Sequence, residues 1–283
     1  MQTRPDYLVI GHVSKDLQPN DAPPQPGGTA IYSAITAQRL GLQAAIVTAL
    51  APEDSYLLDS PRDEGIWIHA APSLHTTTFR NTYNAEGHRT QLLPAHASPI
   101  SPGDVPAAWL AAPIVHLGPV AQELPAGITG LFPPCLLGVT PQGWMRSWDR
   151  GGHVRHSAMP INPALYSLPA GAVMVLSMED IAFDRDTLDR YVALAQTVIV
   201  TQAAGEALIF RQAQPAGRVP ACLANPVDPT GAGDVFAAAF FIRYHETSSL
   251  TEAARFAHAA AALAIEAYGT EGIARRQLPP APA

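Results

Sequence analysis

The chain has 283 residues, of which 47% are hydrophobic and 14% charged, and its formal net charge is −7. These values suit one large α/β domain with a sizeable core and exclude wholesale disorder. No basic block or aromatic–basic interleaving occurs, no apolar run approaches a membrane span, and two cysteines, Cys135 and Cys222, make no disulfide framework. Nucleic acid and membrane are therefore poor partners, the opening "MQTRPDYLVIGHVSKD" is too short in apolar residues for a signal segment, and a cytoplasmic setting is expected.

"YLVIG" (7–11) reads as a buried parallel strand. "GGTAIYSAITAQRLG" (27–41) reads as a helix opened by Gly27–Gly28 and stopped by Gly41, and "AAIVTAL" (44–50) as a second strand, which completes a βαβ-like unit. Between 65 and 93 the texture changes. "GIWIHA", "HTTTFRNTY" and "HRTQLLP" mix Thr, aromatic and polar residues, with "NAEG" (84–87) as a hairpin turn. These runs are too polar on one face for central strands, so a small antiparallel β lid is expected there. Buried-strand runs return at 113–120, 135–141, 172–177 and 197–202, and "EALIFR" (206–211) is expected to pair antiparallel to its predecessor. A helical pattern covers 184–196. "SSLTEAARFAHAAAALAIEAYG" carries Ser249 and Glu252 as a capping box, with Gly269 as its stop; "LPPAPA" reads as a frayed tail. The expected fold is one α/β domain over 1–283: a doubly wound, mostly parallel central sheet with helices on both faces, plus the lid.

The stretch "NPVDPTGAGDVFAAAFF" (225–241) sets two glycines and a carboxylate before an unbroken apolar helix. A helix N-terminus leaves backbone N–H groups unpaired and carries partial positive charge, and glycine lets that backbone approach a ligand closely. Gly231, Ala232 and Gly233 thus form an anion cradle. Asp234 would repel an anion unless its task is to take a proton from a hydroxyl attacking a phosphoryl group. An isolated "GAGD" is more often a plain turn with an early-helix Asp. A dinucleotide fingerprint fails because Phe236 stands at the third glycine position, and no Walker-type motif exists.

"DPTGAGD" (228–234), with the small-residue helix after it, resembles the C-terminal signature of the ribokinase (PfkB-type) sugar kinase family. Gly11 and Asp16 after the first strand, the Gly27–Gly28 pair, the polar lid, and "AHAAAALAIEAYG" (257–269) follow in the family's order. The resemblance implies an ATP-dependent, Mg²⁺-requiring kinase. Asp234 would be the general base, and 231–233 the anion hole. Asp228 and Thr230 would lie near the phosphates, where many members also hold a monovalent cation such as K⁺. Asp16, Gly27 and Gly28 would hold substrate hydroxyls. Thr201 and His258 would lie on the nucleotide side, His258 standing where Asn is frequent. The family's N-x-x-E becomes Ser177–Asp180 here, which puts Asp180, with Glu179 beside it, at the metal. "QAAGEA" after Thr201 departs from the usual bend, which leaves the nucleotide preference open.

Gln142 and Arg146 in "TPQGWMR" end a central strand and are candidate substrate contacts; a surface Arg is an equal reading. Tyr32 replaces the Asn of ribokinase itself and argues against ribose. The histidines at 12, 69, 75 and 88 fit no ligand spacing, and Trp144 and Trp148 read as packing. The expected substrate is a small sugar or polyol, with a compact cyclic polyol such as myo-inositol favoured and a nucleoside second. A non-catalytic nucleotide- or sugar-binding protein on the same scaffold is the rival, in a monomer or homodimer.

Overall fold

The computed structural model describes residues 4–19, 22–83 and 89–275. Its elements in chain order are β1 (Tyr7–Ile10), β2 (Ser14–Leu17), β3 (Gln25–Gly27), α1 (Thr29–Arg39), β4 (Ala44–Leu50), α2 (Asp59–Asp63), β5 (Trp67–Pro72), β6 (Thr78–Tyr83) and β7 (Arg89–Ala95). There follow β8 (Ile114–Leu117), β9 (Leu136–Val139), α3 (Gln142–Met145), β10 (Arg146–Trp148), β11 (Val154–His156), β12 (Val173–Ser177), α4 (Arg185–Val192), β13 (Thr197–Thr201), β14 (Ala207–Arg211), β15 (Gln214–Val219), α5 (Ala232–Thr247) and α6 (Leu250–Ala264).

Nine strands form the central sheet in the order β15-β14-β13-β12-β9-β8-β1-β4-β5. Pairing is parallel from β13 to β5, and β14 and β15 add antiparallel at one edge. The expected doubly wound α/β sheet is thus present, and "EALIFR" pairs as expected. Every residue of β1, β4 and β8 is buried, as continuous apolar runs covered on both faces must be. One face packs on α1, α5 and α6. There Ala237–Ala239 let α5 lie close to its neighbours while Phe236, Phe240 and Phe241 fill the space around it. The other face is closed by Trp144 of α3, Leu188, Tyr191 and Val192 of α4, and by short 3₁₀ turns.

Four readings change. "GIWIHA" is not lid: β5 pairs parallel to β4 as the outermost strand of the central sheet, with Trp67 stacked on Trp109. Its mixed polarity reflects an edge strand half open to solvent. The lid instead recruits two strands from before α1, in the order β3-β2-β6-β7, and it is antiparallel except for the parallel β2–β6 pair. The predicted turn at 84–87 and the tail lie outside the described residues. Third, α4 occupies only 185–192 of the pattern at 184–196, capped by the Asp184 side chain accepting from the Thr187 N–H. Fourth, α6 stops at Ala264 rather than at Gly269, because the Ile265 carbonyl is taken by the N–H groups of Val227 and Asp228 from the neighbouring loop. Ser249 does cap α6, accepting from the Glu252 N–H. No helix among the described residues is long and apolar enough to cross a membrane.

Candidate active site

The carboxyl ends of the parallel strands, where α/β folds place their ligands, bring most of the expected residues together. Gly11 ends β1 against Gly118, so closely that a Cβ on Gly11 would lie 2.2 Å from the Gly118 carbonyl oxygen. The chain then turns up into β2. There the Ser14 hydroxyl donates to Asp16 Oδ1 at 2.9 Å. Gly27 of the paired strand lies under the same carboxylate, and a Cβ there would meet Asp16 Oδ2 at 2.4 Å. Gly28, at φ 92°, begins α1 with no side-chain cap. Asp16, Gly27 and Gly28 therefore form one corner of the site, facing the lid residue Phe79, with which Asp16 is in register.

The first turn of α5 forms the opposite wall. Gly231 is left-handed at φ 77°, and any Cβ there would lie 2.2 Å from Tyr32 Cδ1, so both backbone and packing require glycine. The Ala232 N–H is spent on the Pro229 carbonyl at 3.2 Å, whereas no acceptor among the described residues meets the N–H groups of Gly233 and Asp234. A Cβ on Gly233 would enter open space. The helix end thus presents unpaired donors and an unobstructed approach, the requirements of an anion site.

Asp234 follows directly. Burial raises its carboxyl to about 6; the Thr29 hydroxyl opposes this, the charge of Asp180 adds to it, and the Arg146 guanidinium opposes it again. Its backbone carbonyl accepts from the Ser33 hydroxyl at 3.3 Å, which ties α5 to α1. A carboxylate that titrates near neutrality beside an anion cradle is suited to exchange a proton with a hydroxyl.

Asp180 is buried at the end of β12. It accepts from the Ser177 N–H at 2.9 Å and from Gln142 Nε2 at 2.8 Å. Gln142 Oε1 in turn accepts from Arg146, whose other terminal nitrogen donates to the Val120 carbonyl and whose guanidinium lies 5.1 Å from the centre of the Phe79 ring. Gln142 and Arg146, predicted as substrate contacts, thus have polar ends engaged with protein and serve as a brace between Asp180, the lid and the loop at Val120. Glu179 is exposed beside them. Asp228 and Thr230 form a tight turn: Asp228 Oδ1 accepts from the Thr230 N–H and Oδ2 from the Gly269 N–H. Burial alone would raise this carboxyl, but the hydrogen bonds from Thr230 and Gly269 outweigh it and hold it below the ordinary value. Thr201 ends β13 half-buried, its carbonyl accepting from the Met178 N–H. His258, expected on the nucleotide side, lies on α6. It is 6% exposed in the core, edge-on to Phe236 at 5.0 Å, with Nε2 buried and unpaired.

Two residues escaped the sequence reading. Glu123 is 2% exposed, and its carboxylate accepts from the N–H groups of His12, Val120 and Ala121. It thereby pins the end of β1 to the loop after β8. A lone acid inside the apolar stretch "HLGPVAQELP" was the available signal. His116 bridges Tyr7 and Thr140 through its two ring nitrogens beneath the site, and burial drops it to about 3, so it is neutral. Among the described residues no group of three or more His, Cys, Asp or Glu could hold a metal by itself. Trp144 is packing, as expected: it is fully buried and donates from Nε1 to the Leu124 carbonyl.

Residues 178–275 match the family model described as pfkB family carbohydrate kinase. The ribokinase of Lactococcus lactis subsp. lactis (strain IL1403) is 34% identical over 74 residues, 26% of this chain and 25% of that one. The ribokinase of Bacillus subtilis (strain 168) is 43% identical over 54 residues, 19% of this chain and 18% of that one. These matched stretches span a quarter or less of the curated ribokinases. The fold agrees over a far greater length. A pyrophosphate-dependent kinase in the ribokinase family, complexed with a pyrophosphate analog and myo-inositol, superposes with a TM-score of 0.75 at 21% identity over 92% of this chain and 94% of its own. Arabidopsis thaliana ribokinase complexed with ribose and ATP gives 0.70 at 18% identity over 97% of each chain. Residues 178–275 thus carry the sequence pattern of the pfkB family of carbohydrate kinases, and the chain shares the fold of these ribokinase-family structures over more than nine-tenths of its length.

Proposed function

We propose that the protein transfers a phosphoryl group from ATP to a hydroxyl of a small sugar or polyol, with Asp234 as general base. The observation that carries this reading is the pairing of the Asp234 carboxyl, raised to about 6, with the unpaired N–H groups at the open end of α5. Asp16, held over Gly27, accepts hydrogen bonds from acceptor hydroxyls and orients the one to be phosphorylated. Asp234 removes its proton as it attacks. The backbone donors of Gly233 and Asp234, with the dipole of α5, receive the charge on the transferred group. The lid, with Phe79 above the site, excludes water that would otherwise consume the donor.

The residues fit a hard divalent cation of the Mg²⁺ type, which rests on one or two carboxylates and on phosphate oxygens. Asp180 keeps lone pairs beyond its two protein hydrogen bonds, and Glu179 beside it is open to solvent, so these two would hold it. Bound there, Mg²⁺ would neutralise donor phosphate charge. The Asp228–Thr230 turn is the place for K⁺. Pyrophosphate is the second donor reading. It is favoured by the burial of His258, which removes one expected nucleotide contact, and by the likeness to a pyrophosphate-dependent kinase. That relative's myo-inositol supports a cyclic polyol as acceptor.

The test incubates the protein and Mg²⁺ with ATP or pyrophosphate and a panel of myo-inositol, sugars and nucleosides, and follows donor consumption. Acceptor-dependent consumption supports the reading. Donor binding without turnover on any acceptor would favour a non-catalytic binding protein instead.

A further inference from the structure

Among the described residues the lid joins the central sheet through four chain crossings: residues 11–13 between β1 and β2, Gly28 between β3 and α1, residues 73–77 between β5 and β6, and residues 96–98 after β7. All four meet at His12, which is wholly buried. Its backbone lies on the first crossing and donates its N–H to Glu123 Oε1 at 2.9 Å. Gly28 passes so close that a Cβ there would lie 2.6 Å from the His12 carbonyl oxygen. The ring reaches the other two crossings. Its Nδ1 is 2.7 Å from the Thr77 hydroxyl, and its Nε2 is 2.9 Å from the Ser98 carbonyl oxygen.

The partners fix the tautomer. A carbonyl can only accept, so Nε2 carries the proton and donates to Ser98. Burial pushes the imidazole below its usual value, so the ring is neutral and Nδ1 accepts from the Thr77 O–H. Thr77 Oγ1 in turn accepts from the Ala97 N–H at 3.0 Å, and the Thr77 carbonyl accepts from the Lys15 N–H at 2.8 Å on β2. The Ser73 hydroxyl accepts from the Ser98 N–H at 2.9 Å and ties the third crossing to the fourth a second time. The result is one directional chain, from the Ala97 N–H through Thr77 and His12 to the Ser98 carbonyl. A rigid ring with a donor and an acceptor on different edges can hold two crossings at a fixed separation.

We infer that His12 is a positioning residue for phosphoryl transfer: it pins the four crossings of the lid together and so fixes where Asp16 and Phe79 stand over the site. This rests on the kinase reading above. Asp16 follows His12 on β2 and Phe79 follows Thr77 on β6 within a few residues, and the two are in register across the β2–β6 pair. A displacement at the crossings is therefore passed directly to both.

The test is Thr77→Val, which keeps the side chain's shape and removes the hydroxyl that joins Ala97 to His12. Thr77→Ser is its rescue, and His12→Gln, which keeps an N–H for Ser98 but loses the rigid ring, is a second break in the chain. Hydrogen exchange is read on the amides of β6 and β7 against those of β1 and β4. Kinetics use ATP or pyrophosphate with the best acceptor of the panel. Thr77→Val should quicken exchange in the lid strands by roughly 5- to 10-fold, the size of one lost hydrogen bond, and leave the core strands unchanged. Acceptor KM should rise by a similar factor while donor KM stays within about twofold. More donor should be consumed per acceptor phosphorylated, because water enters beneath a looser lid. Thr77→Ser should restore the wild-type values. Two results overturn the inference and leave the kinase reading standing: no change in lid exchange or in that ratio for Thr77→Val and His12→Gln, or exchange that quickens in lid and core alike with the ratio unaltered, the mark of a merely structural role. Absence of wild-type turnover with every acceptor overturns both.

Discussion

Replacing Asp234 by Asn should make the protein more stable and nearly inactive. The carboxyl titrates at about 6 in the folded chain against an ordinary value of 3.8. The folded value lies above the unfolded one, so the folded state holds this proton more tightly. The group therefore costs nothing below about pH 4, and stability is lost as pH rises through about 6. At about 1.4 kcal/mol per pH unit, the full cost of ionisation is at most about 3 kcal/mol, and solvent at the mouth of the site lowers it to about 1–2 kcal/mol. Asn keeps the shape and removes the charge. Thermal denaturation of both proteins at pH 4.5 and pH 8 should show a small Tm difference at the lower pH, and a larger one, of a few degrees in the variant's favour, at the higher. Turnover should fall by roughly 10²-fold or more at pH 8, and the wild-type rate should fall off below about pH 6, an acid limb that the variant lacks. A variant that is no more stable at pH 8, or that keeps wild-type turnover, would refute the reasoning.

Gly233→Val should fold normally, since its Cβ enters open space, but should raise donor KM at least about tenfold by occupying the approach to the anion turn; unchanged donor kinetics would show that phosphate does not come there. Asp16→Ala should raise acceptor KM by roughly 10-fold or more while donor affinity, read by titration, stays within about twofold. Glu123→Ala leaves the N–H groups of His12, Val120 and Ala121 without their acceptor. Urea denaturation should show a loss of about 3 kcal/mol or more, and a smaller loss would mean that water replaces the carboxylate.

Much of this was legible in the sequence because local chemistry and global fold agree. The strands of the sheet interior are unbroken apolar runs. The segment 228–234 concentrates glycines and acids where the backbone must approach a ligand, and the structure places it at a helix start with a left-handed Gly231. The misreadings have one physical source: periodicity reports burial on each face and is silent about the partner. β5 carries the polarity of an edge strand, which on sequence is the polarity of a lid strand. β2 and β3 are four- and three-residue strands that pair with each other, and β2 is placed in the lid by β6, with Lys15 opposite Thr78. Gln142 and Arg146 were singled out as substrate contacts, but their mutual bond and their hold on Asp180 and Val120 depend on loops brought together only by the fold. The same holds for Glu123, whose partners are backbone N–H groups without sequence identity.

The central claim is phosphoryl transfer to a carbon-bound hydroxyl, and ³¹P NMR of the reaction mixture tests it most directly. Wild-type protein, Mg²⁺, and ATP or pyrophosphate, incubated with myo-inositol and with the sugar and polyol panel, should yield a new phosphomonoester resonance with at least one acceptor. The same mixture with Asp234→Asn should yield none on that timescale. Donor hydrolysed only to inorganic phosphate, or an equal phosphomonoester yield from the variant, would contradict the account.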